Sequence, residues 1–540
     1  MLAPASPRCT SVDGGGDLPV CTRNVAPANE SAARTGWIAA ALVAATHIAL
    51  KGFHLGSSSL WLDEAVAVHI SQRDLLGIIQ ASRQDTTPPL YYLLLGGFER
   101  MFGFSEAAVR WPSVLASGAT SAVLFLLARR RLGNFAAWLA SALFLLSDTN
   151  LRYAREARPY ALASLLCALS FALFLRALER PSRRAWAAVA AMNGLMIFTH
   201  YVAVFAIGAQ GIALVWPWRG WPSVRRFAVA HAVIGAVFIA WVVPILLGGQ
   251  YLKMDWLPAP TLPQLGRGLG WSAGGRRGTF RLAALLVMAG FAFALARSRG
   301  RPVQWRLLAP LVLWSSVPAL LAFGASFYVR CLHPRYLLYA TSALVLLWAA
   351  AVQALPQGRS RLMGAAFACA VPVIGFGATA RRPELPDWRH AAEMLRAHPA
   401  ARVLVSPPWE YPTLAYYYDP EAFRDAAHTS RRLARDGVSL LDEAADAGAL
   451  DLGLAREVLL VVGGPGSRRR GIERQLASEG LTLVERCEFG NLSVSRLARE
   501  PSMRAVDRFF PDEAVAAVVQ PAEETRTSSL GPAWLPAPDS

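Results

Sequence analysis

Charge is what this sequence has least of. Of its 540 residues only 17% are Asp, Glu, Lys or Arg, against 54% hydrophobic, and the mean hydropathy is +0.33. Soluble domains carry roughly a quarter charged residues, so the shortage excludes an ordinary soluble protein. Acid is scarcer than base, 37 residues against 54, which leaves a net charge of +17. In a soluble chain that excess would point to nucleic acid. Here most arginines stand in short stretches between apolar runs, where they orient membrane segments and attract anionic headgroups. The six cysteines (Cys9, Cys21, Cys167, Cys331, Cys369, Cys487) form no CxxC and no metal-ligand grouping, which excludes a legible zinc site. No P-loop and no GxGxxG is present; GGPGSRRRG at 463–471 fits neither pattern and reads as a loop. There is no Ser/His/Asp constellation and no internal repeat. Residues 1–35 lack an apolar core behind a basic start, so they read as a disordered cytoplasmic tail, not a cleaved signal peptide. A second disordered tail is expected over 501–540.

What the chain has is long apolar runs. A membrane-spanning helix needs about 20 such residues, fewer where its ends snorkel. Eleven runs qualify, near 36–52, 110–128, 134–148, 158–178, 186–199, 202–217, 227–248, 279–296, 307–326, 335–354 and 362–379. Seventeen Trp and 24 Phe suit the interfaces. The shorter PPLYYLLLGGFERMF (88–102) reads as a helix lying at the membrane surface. Arginines at 129–131, 179–184, 218–226, 297–306 and 357–362 then fall on one side, the cytoplasmic one by the positive-inside rule. That puts the N-terminus inside, and places the first loop (53–109), the stretches 149–157, His200-Tyr201, 249–278 and 327–334, and the C-terminus outside.

Composition changes near 382. PDWRHAAEMLRAHPAARVLVSPP reads as helix then strand, EVLLVVGG as a buried strand, RRRGIERQLASEG as a helix and LTLVERCEFGNLSVSRL as two more strands. The expected fold is mainly α. A polytopic membrane helix bundle of about 11 transmembrane helices fills 36–380, with juxtamembrane helices in the first outer loop. A small extracytoplasmic α/β domain follows over 381–500.

Four motifs carry chemistry, and each has a plainer reading beside it. Asp63 and Glu64 in SLWLDEA are adjacent acids next to an apolar run; they are either functional carboxylates or solvated loop acids ending the first helix. In LRYAREARPYAL (151–162), Tyr153, Glu156 and Tyr160 fall at i, i+3 and i+7, and so on one helical face. Glu156 is either a second site carboxylate or the partner of Arg152, Arg155 or Arg158. His200 in FTHYVAV is an interfacial hydrogen-bonding residue or, joined to two carboxylates, a ligand for a divalent cation. Arg330, His333 and Arg335 in SFYVRCLHPRYLLYA are snorkelling residues or a clamp for a lipid-linked phosphate, which guanidinium matches bidentately. Lys253 in YLKMDWLP is a weaker candidate for the same task. Cys331 and Cys487 both lie outside, which leaves a disulfide between them open.

In order, SLWLDEA, DTTPPLYYLLL, FGFSEAAVRWPSVL and YAREARPYAL resemble the C-type superfamily of polytopic membrane glycosyltransferases. The branch they resemble most holds protein O-mannosyltransferases, aminoarabinose transferases and rhizobial-type lipopolysaccharide sugar transferases. The resemblance runs over about residues 36–350, and THYVAVF and HPRYLLYA fit it. It implies a polyprenyl-phosphate sugar donor presented at the outer face, an essential Asp matched by Asp63, and further loop acids matched by Glu156. It also implies arginine at the donor phosphate, matched by Arg158 and Arg335, and in several members a divalent metal. One departure stands out: the family often has His or Lys before the Pro-Pro pair, where this chain has Thr87.

The expected activity is transfer of a sugar, by direct displacement with inversion, to an extracytoplasmic lipid, glycan or protein. Asp63 would be the base and Glu156 would position a metal or acceptor. Arg158, Arg335, Arg330, Lys253 and Tyr160 would hold the donor, Glu156 and His200 would be the metal candidates, and Glu64 has no assigned role. The alternatives are a lipid or sugar transporter, which would put its polar groups at mid-membrane, and a non-catalytic scaffold with an outer binding domain. The expected location is a multi-pass protein of an inner membrane.

Overall fold

The computed structural model describes residues 30–216, 221–248, 257–272, 282–290, 293, 305–379, 386–442, 452, 455–464 and 466–499. Lys253 and the expected tails, apart from 30–35, lie outside them.

With no side-chain donors to spare, the backbone of the apolar runs satisfies itself in helices. The bundle is built from α1 (Glu30–Gly52), α5 (Glu106–Arg131), α6 (Asn134–Leu145), α8 (Tyr160–Glu179), α9 (Arg183–Ile197), α10 (Val204–Val215), α11 (Trp221–Leu247), α13 (282–290), α14 (Trp305–Ala325), α15 (Thr341–Ala354) and α16 (Arg359–Thr379), with the short α12 (Leu262–Ser272) between α11 and α13. Each of the eleven apolar runs is thus largely helical over its described part, with 146–147, 158–159 and 198–199 among the residues outside the helices and 335–340 in 3-10 form. Six helices among the described residues are long and apolar enough to cross a membrane, namely Ala33–Gly52, Glu106–Arg131, Tyr160–Glu179, Trp221–Leu247, Arg306–Ala325 and Pro334–Ala354. α6 and α10 are apolar but shorter. α6 starts after Gly133, held at φ 106, and ends before Ser147, whose side chain caps the next helix, α7 (Asp148–Tyr153).

Close approach and polar clamps hold the helices together. A side chain at Gly118 in α5 would stand 2.5 Å from Ile48 and 3.2 Å from the Ala44 carbonyl oxygen, so the glycine lets α1 and α5 touch. The Phe171 and Trp314 rings stack at 4.2 Å between α8 and α14. Ser170, Asn193, Gln210 and His231, one from each of α8 to α11, form a network of hydrogen bonds of 2.5–2.9 Å. At one end of the bundle the arginines gather: Arg131 pairs with Glu179, and Arg361 lies over Phe135.

The opposite end carries a head. Its first part is α2 (Leu62–Ser71), α3 (Leu75–Gln84) and α4 (Pro89–Phe102). α4 starts on a proline, buries Tyr91, Tyr92 and Leu95, and exposes Leu94, Met101 and Phe102, an amphipathic helix as its sequence predicts. The second part is an α/β unit with α17 (Trp388–Arg396), α18 (Tyr411–Tyr418), α19 (Pro420–Arg424), α20 (Thr429–Arg435) and α21 (Gly466–Ser478). Strands β1 (Arg402–Ser406), β2 (Val438–Leu440), β3 (Glu457–Gly463), β4 (Leu481–Phe489) and β5 (Leu492–Arg499) form one sheet in the order β2-β1-β3-β5-β4. β1 runs parallel to β2 and β3, while β5 is antiparallel to β3 and β4. The stretch read as a 463–471 loop is instead the end of β3 at Gly463, Gly464 at φ 96, and the first turns of α21 from Gly466 on.

The two parts of the head share one core. Leu60, Ala65, Val68, Tyr91, Tyr92 and Leu95 pack continuously with Trp388, Leu395, Leu414, Tyr416 and Phe423. At the seam Tyr417 takes a bond from the Leu60 N–H (2.6 Å) and donates to Glu106 (3.0 Å), and Arg389 donates to the same carboxylate at 2.8 Å. Cys331 and Cys487 are both free thiols, so the disulfide is not formed.

Candidate active site

Asp63 is the second residue of α2, where a carboxylate faces the positive end of the helix. Its side chain is a quarter exposed, at the foot of the head. Arg335 Nη1 donates to Oδ2 at 2.8 Å, and Arg158 Nη2 lies 3.9 Å from the same oxygen. Arg158 Nη1 also donates to the Asp63 backbone carbonyl at 3.0 Å. Three distant segments thus meet at one carboxylate. Arg335 sits in a 3-10 stretch, Pro334–Ala340, that leads into α15, and its guanidinium lies 5.7 Å from the Trp61 ring and 5.5 Å from Tyr336.

Glu64, one residue on, does something else. Arg110 grips it bidentately, Nε–Oε1 at 2.8 Å and Nη2–Oε2 at 2.7 Å, and the Ala157 N–H donates to Oε1 at 2.8 Å. The pair is almost fully buried. Glu64 therefore fastens α2 to α5 and to the 154–159 turn, and its carboxylate is fully engaged.

That turn corrects the expectation of a continuous helix over 151–162. α7 stops at Tyr153 and α8 starts at Tyr160, with Pro159 capping the new helix. Tyr153 and Tyr160 still meet edge to face at 5.3 Å. Glu156, carried by the turn, is buried and accepts from Arg152 Nε at 3.1 Å. Burial pushes its carboxyl up to about 7, with Arg152 pulling the other way.

His200 leans on Tyr160 (5.6 Å) and Tyr336 (5.1 Å). Burial, then the charges of Arg158 and Arg335, lower it to about 3, so the ring is neutral. Around this cluster stand buried polar atoms with no hydrogen-bond partner among the described residues: Glu156 Oε2, Arg158 Nε, Tyr160 Oη and His200 Nδ1. Buried polar groups are normally paired, so an arrangement of four unpaired ones is prepared for a polar ligand.

A divalent metal at Glu156 and His200 does not fit the described residues. Among them no three His, Cys, Asp or Glu side chains converge as ligands. Glu156 is held by Arg152, while His200 lies between aromatic rings beside two guanidinium groups, which oppose a second cation. Arg330 points elsewhere, donating to the Leu257 carbonyl at 3.0 Å.

Two acids near the site were not singled out by their sequence. Asp85 accepts from the Thr87 N–H at 3.1 Å and from Tyr92, shaping the turn into Pro88-Pro89, and its charge is felt at Arg158. The Asp-Thr-Thr-Pro-Pro string is a turn signature that would have pointed to it. Glu410 enters from the α/β unit, and Asp63 acts on its charge. Its only signal was its place just after a parallel strand.

Comparison with known proteins agrees with the motifs. Residues 86–247 match the family model of dolichyl-phosphate-mannose-protein mannosyltransferases. The structure of ArnT from Cupriavidus metallidurans in the apo state superimposes with a TM-score of 0.56 at 16% identity, covering 86% of this chain and 98% of that one. The same protein bound to undecaprenyl phosphate gives 0.55 at 15% identity, covering 87% and 99%. No curated protein matches the sequence. The family match and the shared fold bear out the resemblance to the C-type polytopic glycosyltransferase superfamily.

Proposed function

We propose that this chain, a glycosyltransferase of the C-type polytopic superfamily, moves a hexosyl or pentosyl unit from a polyprenyl-phosphate donor to an acceptor hydroxyl outside the membrane. The observation that carries this is the Asp63 carboxylate held between Arg335 and Arg158 amid buried unpaired polar atoms. Two guanidinium groups able to turn from a carboxylate to a phosphate suit a phosphate-bearing donor. The ArnT neighbour was solved with undecaprenyl phosphate, which supports a lipid of that class.

The donor phosphate draws Arg335 and Arg158 to itself and releases Asp63, with Tyr160 Oη as a further donor to the phosphate. Asp63 then takes the proton from the acceptor hydroxyl as that oxygen attacks the anomeric carbon from the far face. The bond from that carbon to the phosphate oxygen breaks, its electron pair leaves on the phosphate, and the guanidinium groups stabilise the growing charge. The result is inversion. Glu156, with one oxygen free, positions the acceptor or sugar.

The arginine-rich end of the bundle, opposite the head, supports a cytoplasmic placement for that end, with the head outside an inner membrane. The polar network inside the bundle is closed on itself, which favours the enzyme over a transporter. An assay in membranes with a panel of radiolabelled polyprenyl-phosphate sugars tests the function. Label moving to product in wild type but not in Asp63→Asn supports it, and equal transfer by both refutes it.

A further inference from the structure

The α/β unit carries chemistry of its own at one end of its sheet. In open sheets, ligand crevices form beyond the carboxyl ends of parallel strands. β1 ends at Ser406 and runs through Pro407 and Pro408 into Trp409 and Glu410, and its parallel neighbour β3 ends at Gly463. Trp409 is half exposed, with the Arg468 guanidinium 5.7 Å from its ring. Glu410 is half-buried, and the one hydrogen-bond partner of its carboxylate among the described residues is Thr413, at a long 3.4 Å. A Cβ at Gly463 would come to 3.0 Å from Glu410 Oε1, so the glycine backbone and that carboxylate lie close together. The turn that superficially suggests a phosphate loop is thus faced by a carboxylate, which repels phosphate.

Resting on the proposed transfer reaction, we infer that Trp409, Glu410 and Gly463 form the acceptor subsite, and that it takes a sugar ring. An indole face open to solvent offers the apolar face of a pyranose a flat surface. A carboxylate beside it, short of partners, accepts from sugar hydroxyls. The backbone at Gly463 permits close approach. Glu410 stands directly before α18, whose Leu414 and Tyr416 pack in one core with Leu60 and Ala65 around Asp63, so packed elements carry both the subsite and the base; burial holds Glu410 up near 7. Donor contacts come from the bundle at Arg158 and Arg335, acceptor contacts from the head, and Asp63 stands between them.

The full chain in lipid nanodiscs, examined by saturation-transfer NMR with a mixture of methyl hexopyranosides, tests this, with undecaprenyl phosphate binding measured in parallel. Wild type should transfer saturation to the ring protons. Trp409→Ala should lose at least about tenfold of that signal, and the isosteric Glu410→Gln should weaken it, both with undecaprenyl phosphate binding unchanged. In a transfer assay the same variants should raise the acceptor KM and leave the donor KM alone. Glycoside binding undiminished in both variants, or absent from wild type, overturns the inference. Glycoside binding in a wild type that takes no undecaprenyl phosphate upholds the sugar subsite and sinks the donor reading instead.

Discussion

Arg335 reaches Asp63 across 272 residues of chain, Nη1 to Oδ2, at 2.8 Å. The contact joins the start of a late membrane helix to the first helix of the head. Its meaning differs with the substitution made. Asp63→Asn keeps the shape and removes the base, so sugar transfer should fall by at least 10³-fold, at the upper part of the range for general-base loss, with protein abundance unchanged. Arg335→Lys keeps the charge but loses the planar fork. Its undecaprenyl phosphate affinity should drop about tenfold or more, measured on purified protein. Unchanged affinity would remove Arg335 from the donor site.

Glu64 predicts the opposite phenotype one residue away. Its bidentate pair with Arg110 is buried, and breaking such a pair leaves an uncompensated charge that costs about 3–5 kcal/mol. Glu64→Ala should therefore cut the yield of folded, monodisperse protein. The double variant Glu64→Leu with Arg110→Met should recover part of the loss, because two apolar side chains leave no stranded charge. Size-exclusion profiles of the three variants decide it; an additive double variant would mean the pair is not the cause.

How legible all this was follows from what each signal depends on. The apolar runs declare themselves locally, since a helix in lipid needs only its own residues, and every run proved largely helical where described. Four of the five strands, and the helices α17 and α21, were likewise legible from short-range pattern; β2, three residues long, and α18 to α20 were not. Asp63 and Glu64, by contrast, look alike in sequence. Only the fold shows that Arg110, from α5, captures one while Arg335 reaches the other. The break at 154–159 escaped because helical spacing continues through ARP, and what fixes the turn, the Ala157 N–H donating to Glu64, is a contact 93 residues distant in sequence. Glu410 escaped for a related reason: a lone acid after Pro-Pro means nothing until β1 and β3 are seen side by side.

Glu156 gives a pH test. Burial raises its carboxyl to about 7, from an ordinary 4.5. The folded protein thus keeps a proton that the unfolded chain gives up between those values. Stability attributable to Glu156 is highest below about pH 4.5 and declines as pH rises to about 7. Glu156→Gln carries no titrating proton and should escape the decline. Thermal melts between about pH 5 and 8 should show wild type losing stability relative to the glutamine variant, on the order of 1–3 kcal/mol. Parallel profiles would mean that the carboxyl is not held up by burial.

The shared core of the head makes a prediction about the α/β unit as a whole. Removing residues 386–499 would uncover Leu60, Ala65, Val68, Tyr91 and Leu95 together, and would leave the Glu106 carboxylate without Arg389 and Tyr417. At about 25 cal/mol per Å² of apolar surface, uncovering several such side chains outweighs the marginal stability of a domain. The truncated chain should therefore fail to accumulate as monodisperse protein, and it cannot serve as a clean test of catalysis. A milder change isolates the seam. Tyr417→Phe deletes the hydroxyl that links Leu60 to Glu106 and should cost about 1–3 kcal/mol, because the Leu60 N–H is left buried and unpaired. Its effect should appear in the melting temperature and in protection of the 55–65 backbone amides from exchange, with the transmembrane helices unaffected. Exchange unchanged over 55–65 would show that the head does not depend on this contact.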